Sequence, residues 1–227
     1  MKPTPPYIAF PLRPHIAKGL ADLTARSQTG LADRDKKIGA ELLADAYSDV
    51  IEHTFVELLR ELDKAHPDPE LQEGFRLMEE VQEKSHHYLG WVVGFFSSER
   101  LRPVIAHFNK VTHELGDAGH AYVVVHVKPR LVADSQRVLE ELQAGKAGSL
   151  EEGAELMIEV IEATLDALVY QPKDLMKFNF LVSKTLDGVI SLLLKYVKHM
   201  VRKLARNLPR ESYPIVGRHL MQFLVTK

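Results

Sequence analysis

The sequence predicts an all-α protein, an antiparallel bundle of about eight helices with two packed sub-bundles as a variant, and three observations carry that expectation. Between 149 and 170, Glu151, Glu155, Glu159, Glu162 and Asp166 recur at spacings of 4, 4, 3 and 4, which at 100° per residue confines them to an arc of about 80° on one helix face. Lys173, Lys177, Lys184, Lys195, Lys198, Arg202 and Arg206 then repeat the pattern with the opposite sign. Upstream, Leu43, Tyr47, Val50, Thr54, Leu58 and Leu62 form an apolar stripe at helical period, as do Leu71, Phe75, Met78, Ser85, Tyr88 and Val92.

Residues 1–14 carry prolines at 3, 5, 6, 11 and 14. Proline lacks the amide donor and disfavours α geometry in the residue before it, so this stretch reads as an extended arm. Its apolar middle, Tyr7, Ile8, Phe10 and Leu12, lies on the body or on a neighbouring subunit. Residues 15–227 then form one helical domain. A short helix covers about 14–27, and a second runs from Asp33 to about Lys64. His66-Pro67-Asp68-Pro69 stops it and starts a third, with Asp68 as cap and Pro69 in the first turn. A fourth spans about 99–115. The segment Tyr122-Val123-Val124-Val125-His126-Val127 has strand propensity, but no second segment offers it a partner, so it reads as a helix ending at Lys128-Pro129. A short helix follows over about 130–144. Gly145-Lys146-Ala147-Gly148 marks the best internal boundary, near 145–149, and Ser149-x-x-Glu152 a capping box. The acidic helix ends at Tyr170, Pro172 opens the basic one, Pro209 closes it, and a last helix covers about 214–225.

Composition bounds the function. A 45% hydrophobic, 26% charged chain can bury a core and is not a disordered one. Net charge is −2, so no global basic field recruits nucleic acid. There is no cysteine, which removes disulfides and thiolate chemistry and fits a reducing, cytoplasmic setting. No window is apolar enough for a transmembrane segment. There is no Gly-x-Ser-x-Gly elbow, so nucleophilic catalysis finds no support, and no glycine-rich phosphate loop occurs.

Charge layout leads to the first functional expectation. If the acidic and basic helices fold back at 171, position 149 lies beside about 194, and the positive rod outruns its mate. Lys195, Lys198, Arg202, Lys203, Arg206 and Arg210 then form a basic helix end open to an acidic partner. The expectation is a non-enzymatic interaction or regulatory protein that works through helix surfaces, with a protein partner or self-association into a homo-oligomer. Peripheral binding of this end to an anionic membrane is a further alternative.

The other alternative is a bundle binding an apolar ligand, a metal or haem. The histidine count of 11 is high. Glu83-x-x-His86 has the i, i+3 spacing of di-metal carboxylate bundles, but a second copy of the motif is missing. Asp49, His53 and Glu57 form an i, i+4, i+8 ladder that reads as exposed ion pairing. His86, His87 and Trp91 mark a candidate ligand pocket, and His107, His113, His120 and His126 lie in a segment without a haem-attachment motif. No cofactor is predicted.

Overall fold

The computed structural model describes residues 3–93, 98–115 and 120–226, with the side chains of 85–93 and 98 excepted. The chain is mostly helical, but it is not all-α. Residues expected as an extended arm form strand β1 (Tyr7–Pro11), which lies inside a four-stranded sheet of order β2-β3-β1-β4. The other strands are β2 (Thr112–Leu115), β3 (His120–Val125) and β4 (Leu224–Val225). Strand β1 runs antiparallel to β3, with Ile8 opposite Val125 and Phe10 opposite Val123, and antiparallel to β4, with Ile8 opposite Leu224. The segment expected as a helix over 122–127 is therefore largely β3, and its missing partner was the proline-flanked N-terminal segment. Those prolines bound the strand rather than prevent it, since Pro11 occupies its last position.

Side chains alternate across β1 as a pleated strand requires. Ile8 and Phe10 join Val123 and Val125 in the main core, while Tyr7, Ala9 and Val124 face a smaller cluster on the other side. Helix α1 (Pro14–Ser27) and helix α2 (Asp33–Ile51) pack beside this sheet, together with α5 (Ser98–Val111). Asp49, expected on an exposed ladder, is instead buried. Its carboxylate accepts hydrogen bonds from the Arg13 backbone N–H at 2.8 Å and Arg13 Nε at 2.7 Å, which fixes the step from β1 into α1.

A second apolar cluster gathers α3 (Glu57–Ala65), α4 (Pro69–Val93), α6 (Pro129–Gln143), α7 (Ser149–Leu165), the C-terminal half of α9 (Phe180–Asn207) and α10 (Tyr213–Met221). Its fully buried members, such as Leu62, Leu71, Met78 and Leu142, each contribute about 1.5–3 kcal/mol relative to exposure. Helices α6 and α7 both belong to it, so 145–148 is a tight turn, with Gly145 and Gly148 at positive φ, between packed neighbours. Gly217 of α10 sits so near α6 that a Cβ there would meet the Leu139 carbonyl oxygen at 2.7 Å.

The acidic helix does not stop at Tyr170. It continues from α7 through a π-helical turn (Asp166–Tyr170) into α8 (Gln171–Leu175) and reverses at 176–179, where Lys177 has φ 50° and Asn179 Oδ1 caps α9 by accepting from the Val182 N–H at 2.9 Å. A second π-helical turn, Glu52–Val56, joins α2 to α3. Among the described residues no helix is long and apolar enough to cross a membrane.

Candidate functional site

Each π turn carries one residue too many for α-helical pairing, and the surplus frees backbone carbonyls. At the first, the Glu57 N–H donates to Glu52 O, five residues back, so His53 O loses its usual donor. The buried His219 of α10 supplies one, with Nε2 2.8 Å from His53 O. At the second, the Gln171 N–H donates to Asp166 O, which orphans Ala167 O. His107 of α5 places Nε2 2.7 Å from that oxygen. Pro172 has no N–H to give Leu168 O, and the Tyr47 hydroxyl of α2 donates to it instead. Burial pushes the Tyr47 phenol well above its ordinary range, so it stays a donor. Nε2 must carry the proton in both histidines, because a carbonyl only accepts.

Between these two turns, where the two core clusters meet, lies a cavity of about 250 Å³. Its wall takes Val50, Thr54 and Phe55 from the first turn's rod, Val160, Thr164 and Leu168 from the second, and Leu186, Ile190 and Leu193 from α9. Two smaller voids of about 50 and 80 Å³ adjoin it, and Met157 lines all three. Methionine is the core side chain that repacks most easily. The polar groups at this wall are few. Thr54 Oγ1 and Thr164 Oγ1 are buried with no hydrogen-bond partner among the described residues. Lys173 stands where the cavity nears the α8–α9 turn, its Nζ 2.5 Å from Asp187 and 3.4 Å from Ser183 Oγ.

The sequence-derived candidates fall elsewhere. The side chains of His86, His87 and Trp91 lie outside the described residues. Glu83 is exposed, and among the described residues no group of three His, Asp or Glu side chains forms a metal-binding cluster. No histidine is among the described residues that line the cavity. His107 is engaged on a carbonyl, His113 lies on β2 with its basicity depressed chiefly by desolvation, and His126 sits edge-on to Tyr7 at 6.1 Å.

The basic end is not bare. With the reversal at 176–179 instead of 171, the acidic helix reaches much further along α9 than the sequence expectation allowed. Glu162 pairs with Lys198, and Glu155 takes both Arg202 Nε at 2.7 Å and Nη2 at 2.9 Å. Lys203 Nζ lies 2.6 Å from Glu73 of α4, and Arg210 Nε donates to Gly145 O at 2.5 Å. The hydrogen bonds from Arg202 and Lys203 hold the Glu155 and Glu73 carboxyls below the usual range. Of the six cations, Lys195, Arg206 and Arg210 are exposed and make no ion pair among the described residues, Arg210 being held by the Gly145 carbonyl.

No protein-family model, curated protein or solved structure matches this chain. The functional reading therefore rests on the cavity and its walls. Reasoning from sequence missed Thr54, Thr164, Lys173 and Tyr47 as site residues. Two signals pointed there: a threonine inside the Val50–Leu58 apolar stripe, and a proline at 172 within otherwise unbroken helical periodicity.

Proposed function

We propose that this protein binds an amphiphilic small molecule, with a mainly hydrocarbon body and one small polar group, in the cavity between the two π turns. The observation that carries the reading is an apolar void of about 250 Å³ whose wall holds two unpartnered buried hydroxyls. A dry apolar cavity of about 150 Å³ already accepts benzene, so the volume suffices for a larger hydrocarbon body. An unsatisfied buried hydroxyl costs about 1–3 kcal/mol, and a ligand group bonded to Thr54 or Thr164 offsets that cost. π-helical turns recur at binding sites because the surplus residue opens space beside the helix. The basic-end reading has less support, since Lys198, Arg202, Lys203 and Arg210 already have intramolecular partners.

The test is titration of the full chain with an apolar fluorescent probe, followed by displacement with medium-chain fatty acids and alcohols. Saturable one-to-one binding is expected, and Val160→Phe, which fills the void, should weaken it at least tenfold. Thr54→Val with Thr164→Val should weaken the alcohols and acids while sparing a plain hydrocarbon. Absence of saturable binding, or binding indifferent to Val160→Phe, would refute the reading.

A further inference from the structure

Among the described residues, every large apolar side chain left exposed lies between 175 and 196: Leu175, Phe180, Leu181, Leu192 and Tyr196. Phe180 is 80% exposed and Leu181 73%. Isolated apolar side chains at a surface need no explanation, but such a concentration in one hairpin does. Leu175 ends α8 while Phe180 and Leu181 open α9, so the reversal at 176–179 carries all three at its tip. Leu181, Lys184, Gly188, Leu192 and Lys195 follow at intervals of three and four and so share the outer face of α9.

Cations frame this face. Lys177, Lys184 and Lys195 are exposed and make no ion pair among the described residues. The Lys184 ammonium stands 5.8 Å over the Phe180 ring. From 173 to 198 the chain has five lysines against two aspartates. Asp187 is engaged, 2.5 Å from Lys173 Nζ, while Asp174 stays largely exposed 3.9 Å from the same ammonium and is the one acid at the tip among the described residues.

We infer that the outer face of 175–196 docks on an anionic lipid bilayer. Phe180 and Leu181 enter the boundary between headgroups and acyl chains, Leu192 and Tyr196 lie along it, and Lys177, Lys184 and Lys195 meet the lipid phosphates. Apolar burial and lysine attraction to anionic lipid act together in this geometry. A second copy fits less well, because a two-fold axis through the face would set its lysines against their own copies. A protruding aromatic tip also suits a fluid surface, which needs no preformed pocket to receive it. The inference goes beyond the cavity reading and stands without it, since the face is exposed whatever the cavity holds.

The test is vesicle flotation of the full chain on phosphatidylcholine alone and on phosphatidylcholine mixed with phosphatidylglycerol. Partition onto the mixed vesicles only, weakened by salt, is expected. Phe180→Asp with Leu181→Asp, and separately Lys184→Glu with Lys195→Glu, should each reduce it about tenfold or more while leaving the thermal melt unchanged. Arg206→Glu should change it by less than about threefold, because it lies outside the face. Val160→Phe should leave it intact, which separates this outcome from the cavity's. No partition at low salt, equal binding to neutral vesicles, or indifference to the Phe180 and Leu181 changes would overturn the inference. So would an Arg206→Glu loss as large as that of the lysine pair, or a dimer in light scattering that the Phe180 and Leu181 changes dissociate.

Discussion

The turn at Glu52–Val56 and the turn at Asp166–Tyr170 each hold one surplus residue and each hand a stranded carbonyl to a histidine, yet only the second is followed closely by a proline. In the second, Pro172 removes the donor that α-helical pairing would need at Leu168 O, so regular pairing cannot be restored there. In the first, every residue from 52 to 58 keeps its N–H, and α-helical pairing is opposed only by tertiary packing and by the bond from His219. The same distortion thus has a local cause in one rod and a long-range cause in the other. The contrast teaches that a π turn can be held by side chains brought from far along the chain, as His219 is brought to His53.

Removing both donors at the second turn is the harshest test of that contrast. Tyr47→Phe with His107→Ala leaves Leu168 O and Ala167 O without partners beside a proline that forbids repair. A loss of about 2–5 kcal/mol is expected from two stranded acceptors, read from urea denaturation. His219→Ala should cost less, about 1–3 kcal/mol. Its sharper signature is in hydrogen exchange. The Glu57 amide should change its exchange rate in His219→Ala, as its acceptor shifts from Glu52 O to the freed His53 O, whereas the Gln171 amide should keep its rate in His107→Ala, because Pro172 still imposes the second bulge. Equal change at both amides would erase the distinction drawn between the two turns.

The smallest effect concerns the surface ties that hold α9 to α7 and α4. Glu155 and Glu73 have carboxyls lowered chiefly by hydrogen bonds from Arg202 and Lys203. A carboxyl lowered in the folded state adds stability that is present above its unfolded value of 4.5 and is lost as pH falls through the folded value. Acidification below about 4.5 should therefore loosen α9 from α7 and α4. Exposed pairs contribute little, so the drop in melting temperature should be smaller than that of His219→Ala, and Glu155→Gln should abolish part of it.

Much of the helical content was legible because period-3.6 stripes such as Leu43 to Leu62 survive a single inserted residue. That robustness is also why the π turns were invisible: one surplus residue rotates the later stripe by only about 100°, and flanking apolar residues mask the step. The strand at 122–127 showed in its β-branched run, but its partner lies more than a hundred positions earlier, where five prolines read as an arm. Pro172 was misjudged as a helix start because an interior proline usually breaks a helix. The π turn before it absorbs that break, moves the reversal to 176–179 and brings Glu155 to Arg202. The cavity was not legible at all, since a void depends on how three rods fail to fill the space between them, which no single segment records.

Strand β1 has a temporal consequence. Its neighbours on either side, β3 and β4, come from 120–125 and 224–225. As the chain leaves the ribosome, the apolar ribbon Tyr7-Ile8-Ala9-Phe10 must wait for residues 224–225, more than two hundred positions later, before both its edges are covered. Contacts of such long sequence separation form slowly, and an uncovered ribbon invites association with other nascent chains. Synthesis rate and chaperone supply should therefore govern the yield of this protein more than its final stability does.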